Sequence, residues 1–182
     1  MIKSMNIALL TIFCLFTGCD NSENQEESVK NNQEMLSAIC ILHPTEGNNV
    51  KGMITFKQTN EGILVAAEVE GLTPGMHGFH IHQYGDCSAP DGTSTGGHFN
   101  PTNKNHGSPN AEERHVGDLG NLIAGEDGTT HYEWTDKLIS FTGPNSILGR
   151  AIIVHAGEDD LVSQPTGNAG ARVACGVIGL AK

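Results

Sequence analysis

Positive charge is what this sequence has least of. Only 10 Lys and Arg stand against 21 Asp and Glu, a formal net charge of −11, and so few cations cannot gather nucleic-acid phosphates. Charged residues of both signs amount to 17% and aromatics to 5%. That is too little charge to coat the outer faces of a helical bundle. No helix-period pattern occurs beyond the N-terminal segment, and no internal repeat is found. Glycine, in contrast, is abundant at 23 residues, which suits short strands joined by tight turns.

Strands are expected at 38–43, 50–57, 63–70, 76–82, 117–124, 130–137, 150–155 and 174–180. Turns such as Glu46-Gly47-Asn48-Asn49, Asn60-Glu61-Gly62 and Glu126-Asp127-Gly128 separate them. Alternation in Val50-x-Gly52-x-Ile54-x-Phe56 marks a half-buried strand. Seven or eight short strands in one domain indicate an all-β antiparallel sandwich or barrel. Two long segments interrupt the rhythm, residues 83–114 and 156–170. Loops of this length in a compact domain are usually functional or disordered, and the ligand-type side chains and cysteine they hold favour function.

The N-terminus reads as a targeting segment. Lys3 precedes an uncharged, mostly apolar run over residues 5–17. It is shorter than the roughly 20 residues that span a bilayer but has the length of a signal-peptide core. Phe16-Thr17-Gly18-Cys19 resembles a bacterial lipobox. The reading is a signal peptide over 1–18, a lipidated Cys19 heading a flexible tether over 19–36, and a folded domain over 37–182. It places the protein in the cell envelope, facing the periplasm, with a lean to the inner membrane from Asp20. Ordinary secretory cleavage with Cys19 left free is the alternative. The tether residues 20–34 carry one apolar side chain, Val29, too few to offset the entropy of folding. After cleavage four cysteines remain: Cys19, Cys40, Cys87 and Cys175. With Cys19 lipidated and Cys40 inert in an apolar strand, Cys87 and Cys175 are the expected disulfide in an oxidising compartment.

The chemistry lies in the histidines. His80 and His82 are two apart on one strand, so both project from one face while Ile81 enters the core. His98, His106, His115 and Asp118 lie in or beside the first long loop, and His155 ends the apolar run Ala151-Ile152-Ile153-Val154. Three imidazoles and a carboxylate suit tetrahedral zinc; a nitrogen-only set suits copper(II). Seven residues are one short of filling two four-coordinate sites, and a shared histidine would resolve the count. His98, midway between the groups, is the natural bridge. His77, His43 and His131 are expected to be structural or surface positions, and Trp134 to be packing.

Several runs together resemble the copper,zinc superoxide dismutase family. They are Gly78-Phe79-His80-Ile81-His82, Gly97-His98-Phe99-Asn100-Pro101, Glu113-Arg114-His115-Val116-Gly117-Asp118-Leu119-Gly120, Val154-His155 with Asp159-Asp160, and Gly167-Asn168-Ala169-Gly170-x-Arg172-x-Ala174-Cys175-Gly176-Val177-Ile178-Gly179. The resemblance, taken as bacterial and lipoprotein-type, implies an eight-stranded Greek-key flattened barrel. It implies copper on His80, His82, His98 and His155, and zinc on His98, His106, His115 and Asp118, one of each metal per subunit. Asp159 would hydrogen-bond His80 and His106, Arg172 would hold superoxide, and His98 would take up and return a proton. Cys87–Cys175 would pin the first loop to the last strand, with Cys87 nearer His82 than in the animal and plant pattern and residues 88–95 rerouted. The short stretch 161–165 lacks most of the charges that guide superoxide in the animal enzymes, which leaves Arg172, the metals and Lys104 for that task. Tyr84-Gly85, Leu148-Gly149 and Ile178-Gly179-Leu180 resemble homodimer contacts, with core packing of their apolar residues as the alternative. A non-catalytic copper- and zinc-binding envelope lipoprotein is the competing reading.

Overall fold

The computed structural model describes residues 36–182; the expected signal peptide, Cys19 and nearly all of the tether fall outside them. Eight strands are present: β1 (Ser37–Pro44), β2 (Lys51–Gln58), β3 (Ile63–Glu70), β4 (Gly75–His82), β5 (Asp118–Ala124), β6 (Thr130–Asp136), β7 (Ala151–His155) and β8 (Arg172–Leu180). A single 3-10 turn, Thr93–Thr95, is the only helical element among the described residues. Every pairing is antiparallel, in the order β5-β4-β7-β8-β1-β2-β3-β6. The β1-β2-β3 meander and the crossings from β3 to β4 and β6 to β7 give Greek-key connections. The ends of the order, β5 and β6, meet through the Tyr132 hydroxyl, which donates to the Leu119 carbonyl at 2.9 Å. The barrel is thus nearly closed, as an antiparallel sheet must be to protect its edges.

Alternation places the core. On β2, Ile54 and Phe56 are fully buried while Lys51, Met53 and Lys57 stay exposed. On β3, Ile63, Val65, Ala67 and Val69 turn inward. On β7 all five residues are buried, because the wall is covered from both sides. Ile152 and Val154 enter the barrel; Ala151 and Ile153 pack outside it with Cys175.

On β4, Phe79 and Ile81 fill the barrel. His80 and His82 therefore face outward, where residues 83–117 and 156–171 fold over them. The sheet is irregular at two points, between Gly78 and His80 and between Val154 and His155. Bulges of this kind re-aim side chains beside active sites, and here each immediately precedes or includes a site histidine.

The first loop is anchored at its far end by charge. Arg114 is buried and donates to Asp136 at 2.5 Å and to the carbonyls of His115 and Asp118 at 3.0 and 3.2 Å. Asp136 accepts the backbone N–H groups of Leu138 and Ile139 with its other oxygen. Each charge is compensated, which a buried ion pair requires.

Candidate metal centre

All seven expected ligands converge. Ligand atoms of His80, His82, His98 and His155 lie within 4.8 Å of one another, and so do those of His98, His106, His115 and Asp118. His98 belongs to both groups. Its ring centroid is 3.9 Å from His80 and 5.2 Å from His82 on one side, and 5.3 Å from His106 and 5.5 Å from His115 on the other.

The two groups differ in chemistry. In the first, His80 Nδ1 and the Nε2 atoms of His82, His98 and His155 are buried without a hydrogen-bond partner. Each donor's second nitrogen, by contrast, is held: His80 Nε2 by Asp159 at 2.7 Å, His82 Nδ1 by the Gly96 carbonyl at 3.0 Å, His155 Nδ1 by the Gly170 carbonyl at 3.0 Å. Four converging orphan nitrogens would be costly in a cavity meant to stay empty; they are what a metal site requires. Burial, with repulsion from neighbouring imidazoles, pushes His80 down to about 3 and His155 to about 4, and moves His82 the same way. The cluster is neutral at pH 7, so its lone pairs are free to bind metal without losing protons.

In the second group one oxygen is the focus. Asp118 Oδ1 lies 2.8 Å from His98 Nδ1, 3.1 Å from His106 Nδ1 and 3.1 Å from His115 Nδ1. Zinc bonds of about 2.0–2.1 Å give a tetrahedron with edges of about 3.3 Å, so the four atoms already approximate that figure. Asp118 is held in place by its other oxygen, which accepts the N–H of His115 at 2.8 Å and of Gly107 at 3.1 Å. Burial raises the Asp118 pKa, but three imidazole partners outweigh it and drive the carboxyl far below its usual range. Three imidazoles with one carboxylate fit zinc, and four imidazoles fit copper.

Asp159, fully buried, joins the groups: Oδ2 takes His80 Nε2 at 2.7 Å and Oδ1 takes His106 Nε2 at 2.9 Å. Burial opposes the charge on His106, yet Asp118 and Asp159 raise its pKa to about 9. Gly167 (φ 69°) passes so close that a Cβ there would sit 1.8 Å from Asp159 Oδ1. Only glycine fits.

Three supporting residues escaped sequence reasoning. Asn121 clasps the Asp159 backbone through two hydrogen bonds, Nδ2 to the carbonyl at 2.9 Å and Oδ1 from the N–H at 2.8 Å. Gln164, in the shortened second loop, does the same for His106 at 2.8 and 2.9 Å. Thr95 is fully buried beside His82 and Arg172. Their partners are 13 to 77 residues distant, a separation that no local motif records.

Other expectations are met or corrected in place. Cys87 and Cys175 form a disulfide across 88 residues, and Cys40 is free and buried. The rerouted segment contains the 3-10 turn, braced by the Ser94 hydroxyl donating to the Asp86 carbonyl at 2.5 Å. Closing a loop of that length removes denatured-state entropy on the order of 4 kcal/mol. Replacing both Cys87 and Cys175 with serine should therefore lower Tm by about 10 °C, measured by calorimetry under identical metal loading.

His77 is structural, with its ring nitrogens against the carbonyls of His155 at 2.8 Å and Thr73 at 2.9 Å. His43 and His131 are exposed on the surface. Lys104 Nζ is tied to the Glu112 carbonyl at 3.0 Å within its own loop. Ile178, expected at a dimer contact, is instead 1% exposed, because alternation on β8 turns it into the core and sends Val177 outward.

A nearly closed Greek-key barrel carrying two adjacent, chemically unlike metal sites that share one histidine defines a bimetallic β-barrel protein. The comparisons supply the family. The model described as "Copper/zinc superoxide dismutase (SODC)" matches residues 50–178. "Extracellular superoxide dismutase [Cu-Zn]" of Brugia pahangi is 44% identical over 199 residues, 99% of this chain and 98% of the relative. "Superoxide dismutase [Cu-Zn]" of Onchocerca volvulus is 54% identical over 79% of this chain and 96% of the relative. A crystal structure of the clock protein EA4 superposes with a TM-score of 0.72 at 46% identity, over 79% of this chain and 93% of that one. This chain belongs to the copper/zinc superoxide dismutase family, and its histidine clusters suit copper and zinc.

Proposed function

We propose that this protein dismutes superoxide, two superoxide anions and two protons giving dioxygen and hydrogen peroxide. Copper held by His80, His82, His98 and His155 would supply the one-electron redox exchange, beside a zinc held by His98, His106, His115 and Asp118. The observation that carries the reading is the set of four buried, unpartnered imidazole nitrogens with His98 shared between both groups.

The chain's own residues provide the rest. Arg172 presents a guanidinium, partly open to solvent, whose Nη1 and Nη2 are tied to backbone carbonyls of Gly92 and Gly96 at 2.7 and 2.8 Å. A fixed cation of this kind orients a small anion. His98 Nε2, unpartnered, is the position where a proton can be held and passed to a departing peroxide. Asp159 orients one imidazole of each group and fixes its tautomer. Asp91 and Glu46 line the same cleft as Arg172 and oppose an incoming anion there, so attraction of superoxide rests on that arginine and the metals. A protein that only stored metal would need no arginine so placed. Loading the protein with copper and zinc and following superoxide decay by pulse radiolysis tests the reading. Catalysed, cyanide-sensitive decay supports it; metal uptake without catalysed decay favours the metal-buffer alternative.

We further read residues 1–18 as an export signal. The relative from Brugia pahangi is named extracellular and matches along 99% of this chain, which supports secretion. Both relatives are nematode proteins, so the bacterial, periplasm-facing, lipid-anchored version rests on Phe16-Thr17-Gly18-Cys19 alone. Mass analysis of the mature N-terminus should find Cys19 without lipid; a diacylglyceryl-cysteine there would restore the anchored reading.

A homodimer is supported by an apolar outer face on β1 and β8. Ile41 and Val177 are exposed there, and Gly85, next to exposed Tyr84, lies close enough that a Cβ on it would sit 3.1 Å from Val177 Cγ1. Exposed apolar surface of this kind marks association sites. Val177→Glu should convert a dimer to a monomer in analytical ultracentrifugation at micromolar concentration.

A further inference from the structure

We propose that Thr95 is a positioning residue, whose single buried hydroxyl registers Arg172 against the copper-cluster histidine His82; this rests on the dismutase reading above. Thr95 is 0% exposed. Its Oγ1 lies 3.0 Å from the Gly92 carbonyl, 2.8 Å from Arg172 Nη1 and 3.2 Å from His82 Nδ1.

Proton accounting fixes every role. A hydroxyl has one hydrogen and two acceptor positions. The Gly92 carbonyl can only accept, so Thr95 donates to it. Arg172 can only donate, so Oγ1 accepts from Nη1. His82 Nδ1 also faces the Gly96 carbonyl at 3.0 Å, so it carries a proton, which it shares with Oγ1. The hydroxyl is saturated, and the tautomer that leaves His82 Nε2 free for metal is the one that the network selects.

The same accounting applies to the arginine. Its two Nη1 hydrogens go to Gly92 at 2.7 Å and Thr95 at 2.8 Å, and one Nη2 hydrogen goes to Gly96 at 2.8 Å. Of five N–H donors, Nε–H and one Nη2–H remain for an anion. Without the Thr95 oxygen, one Nη1 hydrogen loses its acceptor and the guanidinium keeps only its two backbone carbonyls, so its aim is less tightly fixed. A threonine that only closed its own 3-10 turn would need the Gly92 contact and nothing more.

The test compares Thr95→Val, which keeps the shape, with Thr95→Ser, which keeps the hydroxyl. In copper- and zinc-loaded protein, azide affinity is read from the visible absorption of copper. In metal-free protein, the His82 Nδ1–H resonance is read by nitrogen-15 NMR, independently of any dismutation. Thr95→Val should raise the azide Kd about tenfold, as loss of a hydrogen bond to a charged group implies, and should speed exchange of that proton. Thr95→Ser should stay within about twofold of the parent on both readouts. Wild-type azide affinity in Thr95→Val would overturn the proposal. So would equal losses in the two variants, since shape rather than the hydroxyl would then be responsible.

Discussion

Replacing His155 with alanine should abolish superoxide decay while leaving one zinc per chain in place. His155 ends β7, and its Nδ1 is held by the Gly170 carbonyl at 3.0 Å, so its unpartnered Nε2 has one direction to face. Its ring is 5.1 Å from His80 and 5.7 Å from His82, and it has no part in the group around Asp118. Removing it leaves three nitrogens for copper and takes one edge from the cluster. Activity should fall at least about a hundredfold, the scale on which even a ligand's supporting partners act. The His155 carbonyl that receives His77 survives the substitution, so the fold should hold. Metal analysis with an activity assay reads both halves. Zinc lost together with copper would show that the division into two groups is wrong.

Asp118→Ala should produce the opposite pattern in the metals and a larger loss of stability. Asp118 Oδ1 faces three imidazole nitrogens, and Oδ2 holds the N–H groups of Gly107 and His115. The substitution removes the only carboxylate of the zinc group and orphans two buried donors. At a thousandfold excess over Kd, bound zinc stabilises by about 4 kcal/mol. For a chain of this size that corresponds to roughly 10 °C in Tm, before the orphaned donors are counted. Calorimetry of the two proteins with and without zinc checks this. The parent should gain stability on adding zinc and Asp118→Ala should not; an equal gain in both would place zinc elsewhere.

Much of this architecture was readable from residues alone, for physical reasons. Strand β3 spans the expected 63–70 because its apolar residues alternate cleanly between turns. The spacing of His80 and His82 around Ile81 places both imidazoles on one face, whatever the tertiary structure. Both long loops proved to be the covers of the site. The rest depends on approach in space. Nothing local announces that Gln164 clasps His106, 58 residues away, or that Asn121 holds Asp159, 38 away. The register shifts before His80 and at His155 come from sheet pairing. Resemblance alone groups Ile178 with the dimer contacts, whereas its register on β8 opposite buried Cys40 turns it into the core.

The shared histidine is the centre of the account, and anomalous diffraction at the copper and zinc absorption edges tests it most directly. Crystals of the loaded protein should show one copper peak among His80, His82, His98 and His155 and one zinc peak among His98, His106, His115 and Asp118. His98 should contact both metals. A single peak, or two peaks with His98 bound to only one of them, would contradict it.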